Sequence, residues 1–469
     1  METVYLGCKK HLFIDYLLLE RCRGVYIAVN RPKLTGEKCL VAEKPWESHR
    51  IGPYNSVWED NGIYKMWYDA IASDGSRWLC YAESKDGVRW EKKNLGAVSF
   101  NRIKETNIVF PPEKTEVFEP GCVFIDTNPK CPRSERYKMI CTYKPPGGEP
   151  GTWVFVSSDG VSWEPLSNKP SFRLSDTDNI CFYDNRIGRY VAYVRVWAPL
   201  RKVGRCEFND LKDWGEAQVV FSYDEEDLEH LDKDLFDAMD FYNSSAVKYP
   251  LAEDVYLMFP SAYYHYRREV AEKMGSTHPD NDGPMDIQFA VSRDGVHWTR
   301  HDRRPFIPLG KTGGWNGGCL YMSYGMIIHE DEIWLYYTGY NFTHGNYDVK
   351  RDKYKGVISR AILRLDGFTS LDAEYTGGEA ITRPLIFTGE KLVINVETSA
   401  GGFLRIGLLD PDGKPIPGYT TKDCDVINGN YIEKTVSWQG KTDLSKFANM
   451  PIRLHFKMKD CKLYSLQFK

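Results

Sequence analysis

Short runs of alternating apolar and polar residues dominate this chain, and five pairs of them share one plan. A first strand-like run leads through an acidic or polar turn into a strongly aromatic second run. The pairs are NSVWEDNG with IYKMWYDA, CVFIDTNP with RYKMICTY, ICFYDNRIG with RYVAYVRV, SAVKYPLAED with VYLMFPSAY, and YGMIIHEDE with IWLYYTGY. Three of the units continue into the same seven-residue turn: Ser84-Lys-Asp86-Gly87-Val-Arg-Trp90, Ser157-Ser-Asp159-Gly160-Val-Ser-Trp163 and Ser292-Arg-Asp294-Gly295-Val-His-Trp298. Each follows an apolar run, so each reads as a strand entering an Asp-Gly turn, with Trp on the way out to pack between neighbouring units. Asp, Gly and Trp here are scaffold residues.

Five four-stranded meanders repeating every 55 to 80 residues or so predict a β-propeller, in which each sheet buries its two faces only against its neighbours. The opening run HLFIDYLLLE is expected to close the ring onto the last blade. One helix-like, charge-rich stretch, roughly residues 225 to 240, reads as a surface insertion. After Leu371 the repeat ends. From Glu379 onward, runs such as KLVINVET, GFLRIGLLD and KLYSLQF alternate as half-buried antiparallel strands do. The fold class is therefore all-β: residues 1–371 as a five-bladed propeller and 372–469 as an appended β-sandwich.

Composition narrows the partners. With 61 basic and 65 acidic residues and no basic run, the chain is not patterned for nucleic acid. It holds no uninterrupted apolar stretch of about 18 residues, and its first residues lack a secretion-signal pattern, which predicts a cytoplasmic protein without membrane attachment. Twelve scattered cysteines without a C-x-x-C pair read as reduced, mostly buried thiols. The 30 Tyr, 22 Phe and 13 Trp fill cores and also suit stacking on sugar rings. Nothing in the pattern specifies an oligomeric state.

In a propeller the first strand of every blade lines the central channel, so the starts of those strands converge on one funnel. Those starts are Arg50 to Asn55, Phe118 to Gly121, Asp176 to Asn179, Asp237 to Asn243 and Gly314 to Gly317. Three successive blades thus place a carboxylate at this position: Glu119, Asp178 and Asp240. Crowded acids repel unless a proton, a cation or a function compensates. Glycoside hydrolysis uses such a set, one carboxyl protonating the leaving oxygen and a second, ionised, activating water or attacking the sugar. Glu119, with the longer reach, is the candidate donor, and Asp178 or Asp240 the base or nucleophile. Arg50 and Tyr54 join them as substrate-binding candidates, with Arg195 near Asp178, His265 and Arg267 after blade four's second strand, and Tyr263, Tyr264 and Trp315 as stacking platforms. Asp286 and Asp69 are further candidate acids. No metal ligands and no organic cofactor are implied; a structural cation in the axial channel has no signature.

The five-meander ring, the S-x-D-G-x-x-W turns and the C-terminal sandwich together resemble the five-bladed propellers of glycoside hydrolase families 32 and 43. LFIDYLL, YKMWYDA, CYAESKDGVRWEK and RLDGFTSLDA look closest to a family-32-like branch. The resemblance spans nearly the whole chain and implies an inward-facing acid triad and a furanoside or related sugar. The W-M-N-D-P-N-G, R-D-P and E-C motifs are missing, and blade one's first strand has Arg50 and Tyr54 where those families put an essential Asp. The turn also resembles the Asp-box of sialidases, but with Asp and Gly adjacent and five meanders rather than six. A sugar phosphorylase like the family 130 relatives, with His265, Arg267 and Arg268 holding phosphate, and a non-catalytic carbohydrate-binding protein are the two rival readings.

Overall fold

The computed structural model describes residues 3–115, 117–346 and 354–469. Three blades stand as separate four-stranded antiparallel sheets. Blade one uses Arg50–Asp60, Ile63–Ile71, Arg77–Ser84 and Ile108–Phe110; blade two, Phe118–Ile125, Tyr137–Tyr143, Gly151–Ser157 and Glu164–Pro165; blade three, Ile180–Asp184, Arg189–Trp197, Arg201–Phe208 and Gln218–Phe221. Blade four has its strands broken midway, as in Tyr256–Met258 and Ser261–Tyr266, and the parallel bridge Met285–Cys319 joins its inner half to blade five in one larger sheet. Its inner strand begins at Phe236–Phe241, so only Glu225–Glu229 of the expected helical stretch is helical. Met239 and Phe241 alternate as a strand requires, and a register shift between Phe236 and Ala238 brings Phe236 into the same strand.

Cyclic contacts fix the inner strands around one axis. Val123 N donates to Ser56 Oγ (2.8 Å) and Cys181 N to Cys122 Sγ (3.2 Å). Thr177 Oγ1 donates to Tyr242 O (3.2 Å), Ser245 Oγ to Met322 O (3.0 Å), and Tyr324 N to Asn55 O (2.7 Å).

The Asp-Gly turns form because Asp86, Asp159 and Asp294 each accept two backbone N–H groups through Oδ1, while the Ser three residues before each Gly accepts the Gly N–H. Their glycines sit at φ +70, +79 and +75. Every turn then docks on the preceding blade. Tyr336 Oη donates to Gly87 O (2.7 Å), Trp67 Nε1 to Gly160 O (2.6 Å) and Tyr193 Oη to Gly295 O (2.7 Å). Trp67, Tyr193 and Tyr336 occupy the same place in their second strands, so the aromatic strand and the turn are two halves of one seam.

The ring is closed by Lys33–Leu34 and Leu40–Val41, which pair with Val357–Arg364 as blade five's outer strand. HLFIDYLLLE does not do this. Lys10–Leu12, Leu19–Arg23 and Val25–Val29 pair instead with Arg453–Phe468, Gly378–Thr382 and Thr369–Ala373. The segment 1–371 is therefore not all propeller; its first strands complete the sandwich, whose open edges satisfy their backbone groups. Leu392–Leu409 and Arg453–Phe468 pair along most of their length, with register slips midway, around a core that includes Phe13, Phe387, Trp438 and Phe456. All twelve cysteines are free and nine are buried. Among the described residues no helix is long and apolar enough to cross a membrane.

Candidate active site

The inner strands converge on a cavity of about 140 Å³ lined by Arg50, Tyr54, Arg77, Glu119, Tyr242, Tyr321, Tyr340, Phe342 and His344. Of the three candidate acids, Glu119 alone lines it. Arg77, the first residue of blade one's third strand, donates to Glu119 Oε1 through Nη1 (2.7 Å). Through Nε and Nη2 it also grips Asp69 (2.9 and 2.6 Å). Asp69 is fully buried, and its carboxylate fills the space beside Gly52, where a Cβ would lie 1.8 Å from Oδ2. Blade one's carboxylate thus comes from the second strand, in a gap that only Gly52 leaves on the first, and is tied to Glu119 through Arg77.

Asp240 is sealed behind the rim. Arg201 donates to it from both its backbone N and Nη1 (3.2 Å each), and His265 Nε2 lies 3.2 Å from Oδ2. Burial alone would raise this carboxyl, but His265 and the Arg201 guanidinium outweigh it and hold it below the usual carboxylate range. Asp178 is also buried, and neither of its oxygens has a hydrogen-bond partner. Burial, with a smaller contribution from the negative charge of Asp69, pushes it up to about 8. The two acids stand on neighbouring inner strands. Thr177, next to Asp178, and Tyr242, two residues past Asp240, are tied by Arg195, whose Nη2 donates to Thr177 Oγ1 (3.0 Å) and Tyr242 O (2.7 Å).

Guanidinium groups and rings form the rest of the wall. Arg195 and Arg201 lie 4.6 and 5.3 Å from the Tyr242 ring centre, and Arg77 lies 5.3 Å from that of Tyr54. Tyr54 Oη is 3.4 Å from Tyr242 Oη. His344, in contact with Tyr321 Oη (3.2 Å), is pushed down to about 3 by burial and then by Arg201, Arg195 and Arg50. It is therefore a neutral ring at working pH. Trp197, 54% exposed, has Arg201 4.7 Å from its ring centre.

Several candidates fall elsewhere. Arg267 caps the helix Arg268–Lys273 and donates to Lys233 O, and Arg268 pairs with Glu272 and Asp280 on the surface. Neither belongs to the funnel, because the chain leaves blade four's second strand before reaching them. Asp286 pairs across from Ala262, whereas Asp240 pairs across from Tyr263, so the pleat puts Asp286 on the opposite face from Asp240. Burial there raises it to about 7. Trp315 is packed on Tyr337 and against Gly339 rather than open to a sugar. Tyr263 is fully buried under Tyr242 and His265 and offers no stacking face. Strand-start position alone does not single out Arg77, Arg201, Tyr242 or His344. Arg77 and Arg201 both open third strands, immediately after the turns that bring the chain back from the second strands. Among the described residues no group of three or more His, Cys, Asp or Glu could hold a metal ion.

The fold and site together define an all-β propeller with a carboxylate- and arginine-lined funnel, joined to a β-sandwich. No protein-family model matches the chain. Two uncharacterized proteins of Mycobacterium tuberculosis are 26% and 25% identical to it over 157 and 153 residues. Each match covers 30% of this chain and 45% of the relative, so the chain spans under half the length of the curated relatives it matches. Similar solved structures include a glycoside hydrolase (15% identical, TM-score 0.48, covering 71% of this chain and 92% of that one). A thermostable family-43 glycoside hydrolase is 17% identical with TM-score 0.43, covering 73% and 96%. An N-acetylgalactosamine deacetylase from F. plautii is 14% identical with TM-score 0.45, covering 74% and 97%.

Proposed function

We propose that the protein is a glycosidase of the five-bladed, family-32/43-like kind, cleaving a glycosidic bond with the carboxyl groups of its funnel. The observation that carries this reading is geometric: Glu119 opens on the cavity, and two further acids, Asp178 and Asp240, lie buried on the next two inner strands. The first is raised by burial and the second lowered by His265 and Arg201. Glycoside cleavage needs such a division between a proton-holding and a charged carboxyl. Glu119, at the open cavity, is the group that meets the glycosidic oxygen. Asp240 supplies fixed negative charge, and Asp178, on the neighbouring inner strand, holds a proton. Asp69 with Arg77 holds Glu119 in place, and Trp197 offers a ring face to the sugar. With Arg267 and Arg268 outside the funnel, the phosphate-holding cluster of a phosphorylase is not assembled from those residues.

Incubating the full chain with aryl and oligosaccharide glycosides, furanosides among them, in ¹⁸O-water tests the proposal. Label in a new reducing end is the expected result. Sugar phosphate formed only with inorganic phosphate, or no cleavage of any glycoside, would overturn it.

A further inference from the structure

A second site lies on the sandwich, away from the funnel. Cross-strand register sets Arg23 opposite Glu379, Glu379 opposite Lys457, and Lys457 opposite Arg405. One row of four charged side chains therefore crosses four strands on a single face, spanning roughly 14 Å at strand spacing. The neighbouring row, Ala380, Phe456 and Ile406, is buried in the sandwich core, so the charged row faces outward. Lys422 and Lys459 join it around a trough of about 680 Å³.

Five cations here meet one carboxylate. Glu379 is engaged by Arg23 (2.8 Å) and His455 (3.2 Å). Arg405 donates to the carbonyl of Cys424 (2.7 Å), and Lys459 lies over the Tyr375 ring (4.3 Å). Among the described residues no acid pairs with Arg405, Lys422, Lys457 or Lys459. This cationic excess sits on a chain whose net charge is −4. Like charges held on a rigid sheet repel, and a polyanion lying along them removes that repulsion.

We propose that this trough binds an acidic polysaccharide, a chain whose sugar rings carry carboxylates. The recess suits a strand lying within it better than a flat bilayer surface. Single-stranded nucleic acid would need a run of stacking rings, and Tyr375 already lies under Lys459. The proposal does not depend on the funnel's chemistry.

Native electrophoresis of the full chain through gels containing polygalacturonate, a neutral glucan or single-stranded DNA tests it, each run referenced to a polymer-free gel. Retardation is expected with polygalacturonate alone, fading as ionic strength rises. Lys457→Glu/Lys459→Glu should weaken it at least tenfold, and the milder Lys422→Gln/Lys457→Gln should weaken it measurably, both with unchanged melting temperature. Trp197→Ala at the funnel should leave it intact. No retardation, retardation indifferent to these lysines, or equal retardation by DNA would overturn the proposal.

Discussion

Asp178→Asn separates a proton-holding carboxyl from an ordinary one through stability alone. In the folded chain Asp178 keeps its proton up to about pH 8; unfolded, it releases it near pH ~3.9. Between those values the unfolded state binds fewer protons, so the group lowers stability progressively as pH rises through the window, and the loss is absent below the unfolded pKa. One proton corresponds to about 1.4 kcal/mol per pH unit, hence roughly 4 kcal/mol between pH 5 and pH 8. The Asn variant has nothing to titrate there. Its stability relative to the parent should therefore climb by about that amount over the interval, whatever the fixed packing cost of the amide. Asp286 and other titrating groups cancel in the difference. Denaturant unfolding of both proteins at pH 5, 6, 7 and 8 measures it. A difference that stays flat with pH would refute the raised carboxyl, and with it the division of labour proposed for the funnel.

Other expectations rest on separate contacts. Gly160→Ala combines a left-handed φ of +79 with a Cβ 2.5 Å from Trp67 Cζ2, so it should cost about 3 kcal/mol or more. Gly215→Ala, at φ +64 with open space around it, should cost only about 1 to 2 kcal/mol of backbone strain; equal losses in denaturant melts would contradict the seam. Arg77→Met leaves buried Asp69 without its guanidinium and should destabilise by about 3 to 5 kcal/mol, an effect that Asp69→Asn in the same chain should partly relieve. Trp197→Ala should raise KM several-fold with kcat little changed, and an unchanged KM would remove Trp197 from the site. Asp286→Asn should leave turnover within twofold, since that acid faces away from the funnel.

The parts of this fold readable from sequence are those whose cause is local. An Asp-Gly turn needs only its own Ser, Asp and Gly, and aromatic second strands announce themselves by composition, so the repeat and the all-β class stand in plain view. Which edge a strand joins is different. HLFIDYLLLE is a largely apolar run, and nothing local distinguishes blade five's edge from the sandwich's as the place where it is buried. Lys33–Leu34 and Leu40–Val41, the segments that do close the ring, are two residues long each and carry no period at all.

The site divides in the same way. Glu119, Arg50 and Tyr54 line the cavity from first strands, as that geometry predicts, whereas Asp178 and Asp240 are buried outside its lining. Arg77 and Arg201 enter from third strands, and Asp69 reaches inward only because position 52 is glycine, a pairing visible in three dimensions alone. Arg267, Asp286 and Trp315 were misplaced by sequence proximity, which ignores the pleat and the point where a chain departs from its sheet.

The most direct measurement pairs turnover with binding in Glu119→Gln, using whichever glycoside the parent cleaves. Loss of at least a hundredfold in kcat, with calorimetric affinity for that glycoside retained, is the predicted outcome. Turnover persisting near the parent's rate would contradict a carboxyl-driven funnel.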